Sequence, residues 1–220
     1  GEARYIDDLA EPAGLLHGCF GLSARAHARL AKVDLTAVRS APGVVDVIGA
    51  GDVAGLNDVS PTHRHDEPLL AVDEVHYAGQ PIFVVAATTR DLARRAAKLA
   101  KITYEPLEAV LDVARARDLV FPGMTLSRGD ARKAIEAAPR RLSGTMRIGG
   151  QEHFYLEGQI AMALPGEDDD VTVFSSTQHP SEIQTMVAQV LGVAAHAVTV
   201  EVRRMGGGFG GKETQGNHYA

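Results

Sequence analysis

Five of the six residues from Gly206 to Gly211 are glycine, with Phe209 the only interruption, and Arg203-Arg204-Met205 and Lys212-Glu213 flank the run. No composition loses more conformational entropy on folding, so something must hold such a run in place. A string of bare backbone amides lets a chain approach a phosphate or a bulky ligand closely. The plainer alternative is a turn or bulge at a strand end, for which one glycine would do. Two generic patterns also fit, and neither is completed. Gly206 to Lys212 satisfies G-x-x-x-x-G-K, but Glu213 stands where a phosphate loop needs Ser or Thr, and a carboxylate there would repel phosphate. Gly206, Gly208 and Gly211 satisfy G-x-G-x-x-G, but the acidic residue expected roughly 20 positions later has no counterpart before Ala220.

Two further stretches carry unusual polar chemistry. Gly149-Gly150-Gln151-Glu152-His153-Phe154-Tyr155-Leu156-Glu157-Gly158-Gln159 sets polar side chains among aromatics, and Ser175-Ser176-Thr177-Gln178-His179-Pro180 follows a strand end. Ligands gather at strand ends and domain seams, so the three stretches are expected to converge. His63-x-His65, with His76 nearby, invites a metal reading. The pair lacks a third ligand and the cysteine company that structural zinc prefers, so solvated loop histidines are expected.

The elements that must position these residues follow from periodicity. Val198 to Val202 alternates as a half-buried strand and delivers the glycine run. Ile160–Leu164 and Val171–Phe174 form a hairpin around the acidic tip Pro165 to Asp170. Pro180 or Ser181 opens a helix with Ile183, Met186, Val187, Val190 and Leu191 on one face, ended by Gly192.

Earlier in the chain, Leu15–Leu22 reads as a buried strand that Ala24–Leu30 could continue, and Asp34 caps a short helix. Val44–Ile48 is a strand, and 55–68 is a mobile-looking loop. Ile82–Ala87 is apolar and β-branched, hence central in its sheet. Thr88 or Thr89 caps a helix reaching Ala100 with Leu92, Ala96, Leu99 and Ala100 as its apolar stripe, and Ile102–Tyr104 is a strand. Beyond it the pattern weakens through Pro122-Gly123 and Pro139, with a short helix over 130–138, before a strand at Thr145–Ile148. The fold class is therefore α+β, with a mixed α/β domain over 1–107, a linker over 108–141, and a second region over 142–220.

Composition narrows the function. The chain has 220 residues, 45% hydrophobic and 23% charged, the ordinary balance of a globular protein. A net charge of -6 with no basic cluster argues against a nucleic-acid partner. Cys19 is the only cysteine, which excludes an intrachain disulfide or a cysteine-ligated iron–sulfur cluster within these residues. No apolar run reaches membrane-spanning length, so no membrane role and a cytoplasmic location are expected. The start at Gly1 and the stop just after the glycine run suggest a piece of something longer.

Taken together, residues 149–157, 175–180 and 203–213 resemble the large, molybdenum-binding subunit of the xanthine dehydrogenase/aldehyde oxidase family. Tyr155-Leu156-Glu157-Gly158-Gln159 and Gln215-Gly216-Asn217-His218 resemble its bacterial two-subunit form. Gly79-Gln80-Pro81 and the alanine-rich helix resemble the family's N-terminal α/β hammerhead domain, so 142–220 would be the start of its mixed α/β molybdopterin-binding domain. The resemblance implies hydroxylation of hypoxanthine or xanthine at a molybdopterin-held molybdenum. Electrons would leave through Fe-S clusters and FAD on a partner subunit to NAD, in a heterotetramer. By resemblance Gln178 donates to the apical oxo of molybdenum, Gly208, Phe209 and Gly210 bind the cofactor, and Glu213 orients the purine. The family's catalytic glutamate and a substrate-steadying arginine match no position here, so no catalytic residue and no protein metal ligand are assigned, and these residues alone are expected to be inactive. An aldehyde oxidase-like hydroxylase and a non-catalytic docking module are the alternatives. Glu213 favours the purine enzyme, because a carboxylate suits ring N–H donors better than an aldehyde.

Overall fold

A computed structural model of the chain describes residues 2–62, 64–116 and 123–220, so His63 and Pro122 lie outside it. Two compact units emerge, Gly1–Glu108 with His153–Ala220, and Ala109–Glu152. The fold is α+β. Among the described residues no helix is long and apolar enough to cross a membrane.

In the first unit, β5 (Pro81–Ala87) lies between β1 (His17–Leu22) and β3 (Val44–Gly49), antiparallel to both. Its apolar run is buried on both faces, and Ile82, Phe83, Val85 and Ala87 anchor the core with Val47 and Val38. Helix α2 (Arg90–Ala97) packs here through Ala93 and Ala96, and Thr89 caps it by accepting from the Leu92 amide at 3.2 Å. It stops before Ala100, so Leu99 falls outside the helix and is half exposed.

A second sheet runs β4 (Glu74–Val75), β2 (Ala28–Asp34), β6 (Lys101–Pro106), all antiparallel. The expected continuation of β1 through Ala24–Leu30 is interrupted. Ser23 turns the chain by bonding the Arg25 backbone, and β2 joins a different sheet from β1. Helix α1 (Thr36–Arg39) begins two residues after Asp34, whose carboxylate accepts from the Thr36 amide at 3.1 Å.

The third sheet positions the glycine run. β8 (Val171–Ser175) is central, with β7 (Ala161–Pro165) antiparallel on one side and β9 (Val198–Glu201) parallel on the other. Helix α4 (Pro180–Leu191) buries Ile183 and Ala188 against Val173 and Val198 and ends at Gly192 in the left-handed conformation, φ 72°.

The stretch 55–68, expected to be a mobile loop, is anchored at its first half, while Thr62 and 64–67 are exposed. Asp58, Val59 and Ser60 are buried, and the amides of Gly55 and Leu56 donate to the Val190 and Gln189 carbonyls at 2.9 and 2.8 Å, satisfying the last turn of α4. A Cβ on Gly55 would lie 2.1 Å from the Gln189 oxygen and 2.6 Å from the Gly192 nitrogen, both backbone atoms that cannot swing aside. Gly55→Ala should therefore destabilise the protein by about 1–3 kcal/mol, the usual cost of overpacking. An unchanged urea midpoint would contradict this close approach.

In the unit Ala109–Glu152, α3 (Ala131–Ala137) is capped by Asp130, which accepts from the Lys133 amide at 2.9 Å. Thr145–Ile148 forms no strand there. It has no partner strand, and Met146 and Ile148 are exposed.

Candidate functional site

The topology of the third sheet explains how three distant stretches meet. β8 and β9 are parallel, so the residues following each emerge at the same end; β7 is antiparallel, so the residues preceding it start there. Residues 153–160, 176–179 and 202–213 therefore share one sheet end, with Ser176–Gln178 in the middle.

A buried ion pair fastens them. The side chains of Lys212 and Glu157 are 0% and 3% exposed, with Nζ 3.4 Å from Oε2. Lys212 Nζ donates to Ser176 Oγ at 2.6 Å, and Ser176 Oγ donates to Glu157 Oε2 at 2.7 Å. The Gly206 amide donates to the same carboxylate oxygen at 2.8 Å, and Lys212 Nζ sits 4.6 Å above the Tyr155 ring. Burial alone would raise the Glu157 carboxyl, but the Gly206 amide, the Ser176 hydroxyl and Lys212 together hold it below its usual range. Burial pushes the Lys212 ammonium below its usual range, with Glu157 opposing. Lys212 and Glu157 were not singled out by sequence reasoning. The only signal was a density of polar residues among aromatics at 149–159.

The glycine run closes on Gln178. The Gln178 amide donates to the Lys212 carbonyl at 2.8 Å, and its side-chain Oε1 accepts from the Gly210 and Lys212 amides at 2.8 and 3.3 Å. With the oxygen so occupied, Nε2 faces outward as a donor, and no described residue accepts from it. Gln159 Nε2 ties the far side of the loop by donating to the Gly211 carbonyl at 2.7 Å and to Tyr155 Oη at 3.2 Å. Glycine is needed where the loop touches its supports. A Cβ on Gly206 would lie 2.5 Å from Glu157 Cβ, and one on Gly208 would lie 2.6 Å from Gln178 Oε1.

The outer side of the loop is open. A Cβ on Gly210 would meet nothing within 4 Å. Phe209 is 74% exposed and held at φ 51°, a left-handed conformation that costs a non-glycine residue about 1–3 kcal/mol. Glu213 is exposed beside buried Lys212, and no described group pairs with its carboxylate. With open space beside Gly210 and an exposed Phe209, the loop forms an open cradle. Gln178, Gly208 and Gly210 are thus brought together, Phe209 stands at the rim, and Glu213 follows the loop.

Of the expected loop histidines, His65 is mostly exposed yet bonds Asp58 Oδ2 through Nδ1 at 2.5 Å. Its side chain is 64% exposed, as a solvated loop histidine should be, with one contact to Asp58.

Comparison with known proteins shows which domains the chain contains. Residues 1–108 match the model of the aldehyde oxidase and xanthine dehydrogenase a/b hammerhead domain, and residues 114–220 match that of the molybdopterin cofactor-binding domain. The chain is 40% identical to the xanthine dehydrogenase of Emericella nidulans over 98% of its own length, and 43% identical to the nicotinate hydroxylase of the same organism over the same share. It spans only 16% of each of these relatives. Among solved structures it resembles quinoline 2-oxidoreductase from Pseudomonas putida 86, with a TM-score of 0.81 and 28% identity, covering 97% of this chain and 30% of that one. It also resembles the aldehyde oxidoreductase of Desulfovibrio gigas, with a TM-score of 0.78 and 27% identity, covering 92% and 24% respectively. The cradle fits the cofactor that the second family model names, since it offers bare backbone, an outward amide donor and an exposed ring to a large polar ligand. The chain belongs to the xanthine dehydrogenase/aldehyde oxidase family of molybdenum hydroxylases, with the hammerhead domain matched over 1–108 and the molybdopterin cofactor-binding domain over 114–220.

Proposed function

We propose that the complete protein hydroxylates a purine, hypoxanthine or xanthine, and that this chain supplies one wall of its molybdenum site. The observation that carries this reading is the arrangement of the glycine loop. Gln178 is locked with its amide donor outward, and an unpaired carboxylate, Glu213, follows the loop. The molybdopterin, when bound, would supply the redox chemistry of hydroxylation. Gln178 would donate a hydrogen bond toward the metal centre, Gly208 and Gly210 would admit the cofactor against bare backbone, and Phe209 would close over it. Glu213 would accept from the N–H donors of the ring and orient it. Electrons would pass by Fe-S clusters and FAD to NAD on a partner subunit, within a heterotetramer.

The test uses the full-length protein. Glu213→Ala should leave molybdenum content near wild type and lower kcat/KM for xanthine by about ten- to a hundredfold, the scale of losing one hydrogen bond to a charged acceptor, roughly 1.5–3 kcal/mol. A simple aldehyde, lacking ring N–H donors, should be little affected. Gln178→Ala should slow every substrate, because its contact is with the centre. Equal losses for purine and aldehyde in the Glu213 variant would refute the orienting role. Because one relative is named a nicotinate hydroxylase, nicotinate belongs in the assay. Turnover of nicotinate with none of xanthine would overturn the purine assignment and leave the hydroxylase class standing. A molybdenum-loaded protein inactive on all three would favour a docking role.

A further inference from the structure

We propose a zinc site built from His27, Glu74 and His76, at the edge of the sheet β4-β2-β6. The backbone places these residues together. Ala28 pairs with Val75 and Arg29 with Glu74, so the register one step further sets His27 opposite His76. Glu74 opens the two-residue strand β4 and His76 follows it, two positions on, so an extended backbone sends both toward the face that carries His27. The side chains meet accordingly. His27 Nε2 lies 2.7 Å from Glu74 Oε1, His76 Nδ1 lies 3.7 Å from the same oxygen, and the two imidazole centroids are 5.8 Å apart. One ligand atom from each residue falls within 4.8 Å of the others. Arg29, on the same face, makes no ion pair with Glu74 among the described residues.

The hydrogen bonding of His27 points to a cation. Its Nδ1 lies 2.6 Å from the Glu108 carbonyl oxygen, which can only accept, so Nδ1 carries the proton. In the neutral ring Nε2 then presents a lone pair to a carboxylate oxygen 2.7 Å away. Two acceptors at that separation need positive charge between them, either a proton or a metal ion. A proton between His27 and Glu74 accounts for that contact alone and leaves His76 Nδ1 3.7 Å from the same oxygen, beyond hydrogen-bond distance, whereas a metal ion takes all three as ligands. Donation of the second ring N–H to a backbone carbonyl is also how metal-binding histidines are oriented. Two imidazoles and one carboxylate suit zinc, with water in the fourth position. Zinc–ligand bonds of about 2.0–2.1 Å put tetrahedral ligand atoms about 3.3 Å apart. The 3.7 Å separation already approaches that, and the 2.7 Å one opens by a small rotation. The side chains are 30%, 32% and 60% exposed for His27, Glu74 and His76, so an ion can enter from solvent. Zinc binding here does not depend on what the glycine loop holds.

The full-length protein, treated with EDTA and freed of chelator, is titrated with ZnCl2 against a chromophoric zinc indicator, and separately with CoCl2. Wild type should bind one more equivalent of zinc than His76→Ala or Glu74→Gln, and the cobalt form should show the ligand-field bands of a low-coordinate site that both variants lack. Affinity at this site should fall by more than the about 10- to 100-fold typical of losing only an outer-shell partner. His196→Ala, which alters an exposed histidine elsewhere, should bind as wild type does. His76 lies on the surface, so its variant should fold, which melting temperature checks. Equal zinc stoichiometry and affinity in wild type and His76→Ala would overturn the proposal. So would the absence of cobalt bands in wild type, which would leave His27 and Glu74 as a proton-bridged pair.

Discussion

Glu157→Gln is expected to destabilise the protein by about 3–5 kcal/mol, the range found when one partner of a buried ion pair is removed. The substitution keeps the shape of the side chain and an oxygen that can still accept from the Gly206 amide at the position now 2.8 Å away. What it removes is charge. Lys212, fully buried, would then hold its ammonium with only the Ser176 hydroxyl and the Tyr155 face for company. The alternative is to shed the proton. Burial already lowers the lysine's pKa, and without Glu157 it would fall further. In that variant the unfolded chain binds the proton that the folded one refuses, so its stability should rise with pH toward the unfolded lysine value near about 10.4. Wild type should show the opposite edge. Glu157 titrates below its usual range, so its contribution is complete above the unfolded value of about 4.3 and is lost as pH falls through the folded one. Replacing both partners, Glu157→Gln with Lys212→Met, should recover most of the loss, because the charge is removed with its counter-charge. Urea unfolding of wild type, Glu157→Gln, Lys212→Met and the double variant decides. A single-variant loss below about 1 kcal/mol, as for a surface pair, would show that the ammonium reaches water.

That pair also marks the limit of what the sequence discloses. Lysine and glutamate are almost never fully buried unless paired, so each alone reads as surface. Their pairing spans 55 positions, and no local pattern registers it. Elements whose cause is local were legible. The apolar, β-branched run now seen as Pro81–Ala87 declared a central strand, the Thr88-Thr89 pair a cap, which the structure gives to Thr89, and Gly192 a helix stop. Elements whose cause is a distant partner were not. Ala24–Leu30 alternates as a strand should, but alternation does not say which sheet the strand joins, and Ser23 turns it toward β4 and β6. Thr145–Ile148 has strand composition, yet a strand needs a neighbour to bond and finds none in its unit. The segment 55–68 looks loose by its prolines and histidines. Its first half is held by Asp58 and by amides donated to the end of α4, contacts that only the fold supplies. The three site loops were legible as chemistry, and their common sheet end follows once β8 and β9 are known to be parallel.

Gly208→Ala should separate function from stability at the same loop. A methyl group there would lie 2.6 to 2.8 Å from Oε1, Cδ and Cγ of Gln178. These atoms belong to an exposed side chain, so Gln178 can give way while the backbone stays, but only by breaking the two hydrogen bonds its Oε1 accepts. Replacing glycine by alanine also lowers the entropy of the unfolded chain, a gain of about 0.4–1 kcal/mol that offsets part of the strain. Freeing the Gly210 and Lys212 amides costs about 1–3 kcal/mol, so the melting temperature should fall, but by less than in Glu157→Gln. Gln178, however, would lose the Gly210 and Lys212 amides that fix its oxygen inward, and with them the outward aim of its donor. On the proposed function that donor faces the molybdenum centre, and misplacing a positioned group by about 1 Å can cost a hundredfold. In the full-length enzyme kcat should fall on the order of a hundredfold for purine and aldehyde alike. Because Gly208 acts through Gln178, the double variant Gly208→Ala/Gln178→Ala should be no slower than Gln178→Ala, so the two losses should not add. Additive losses would place the effect of Gly208 in the cofactor contact itself. A fall in melting temperature matching that of Glu157→Gln would show that the loop backbone, and not the glutamine, gives way.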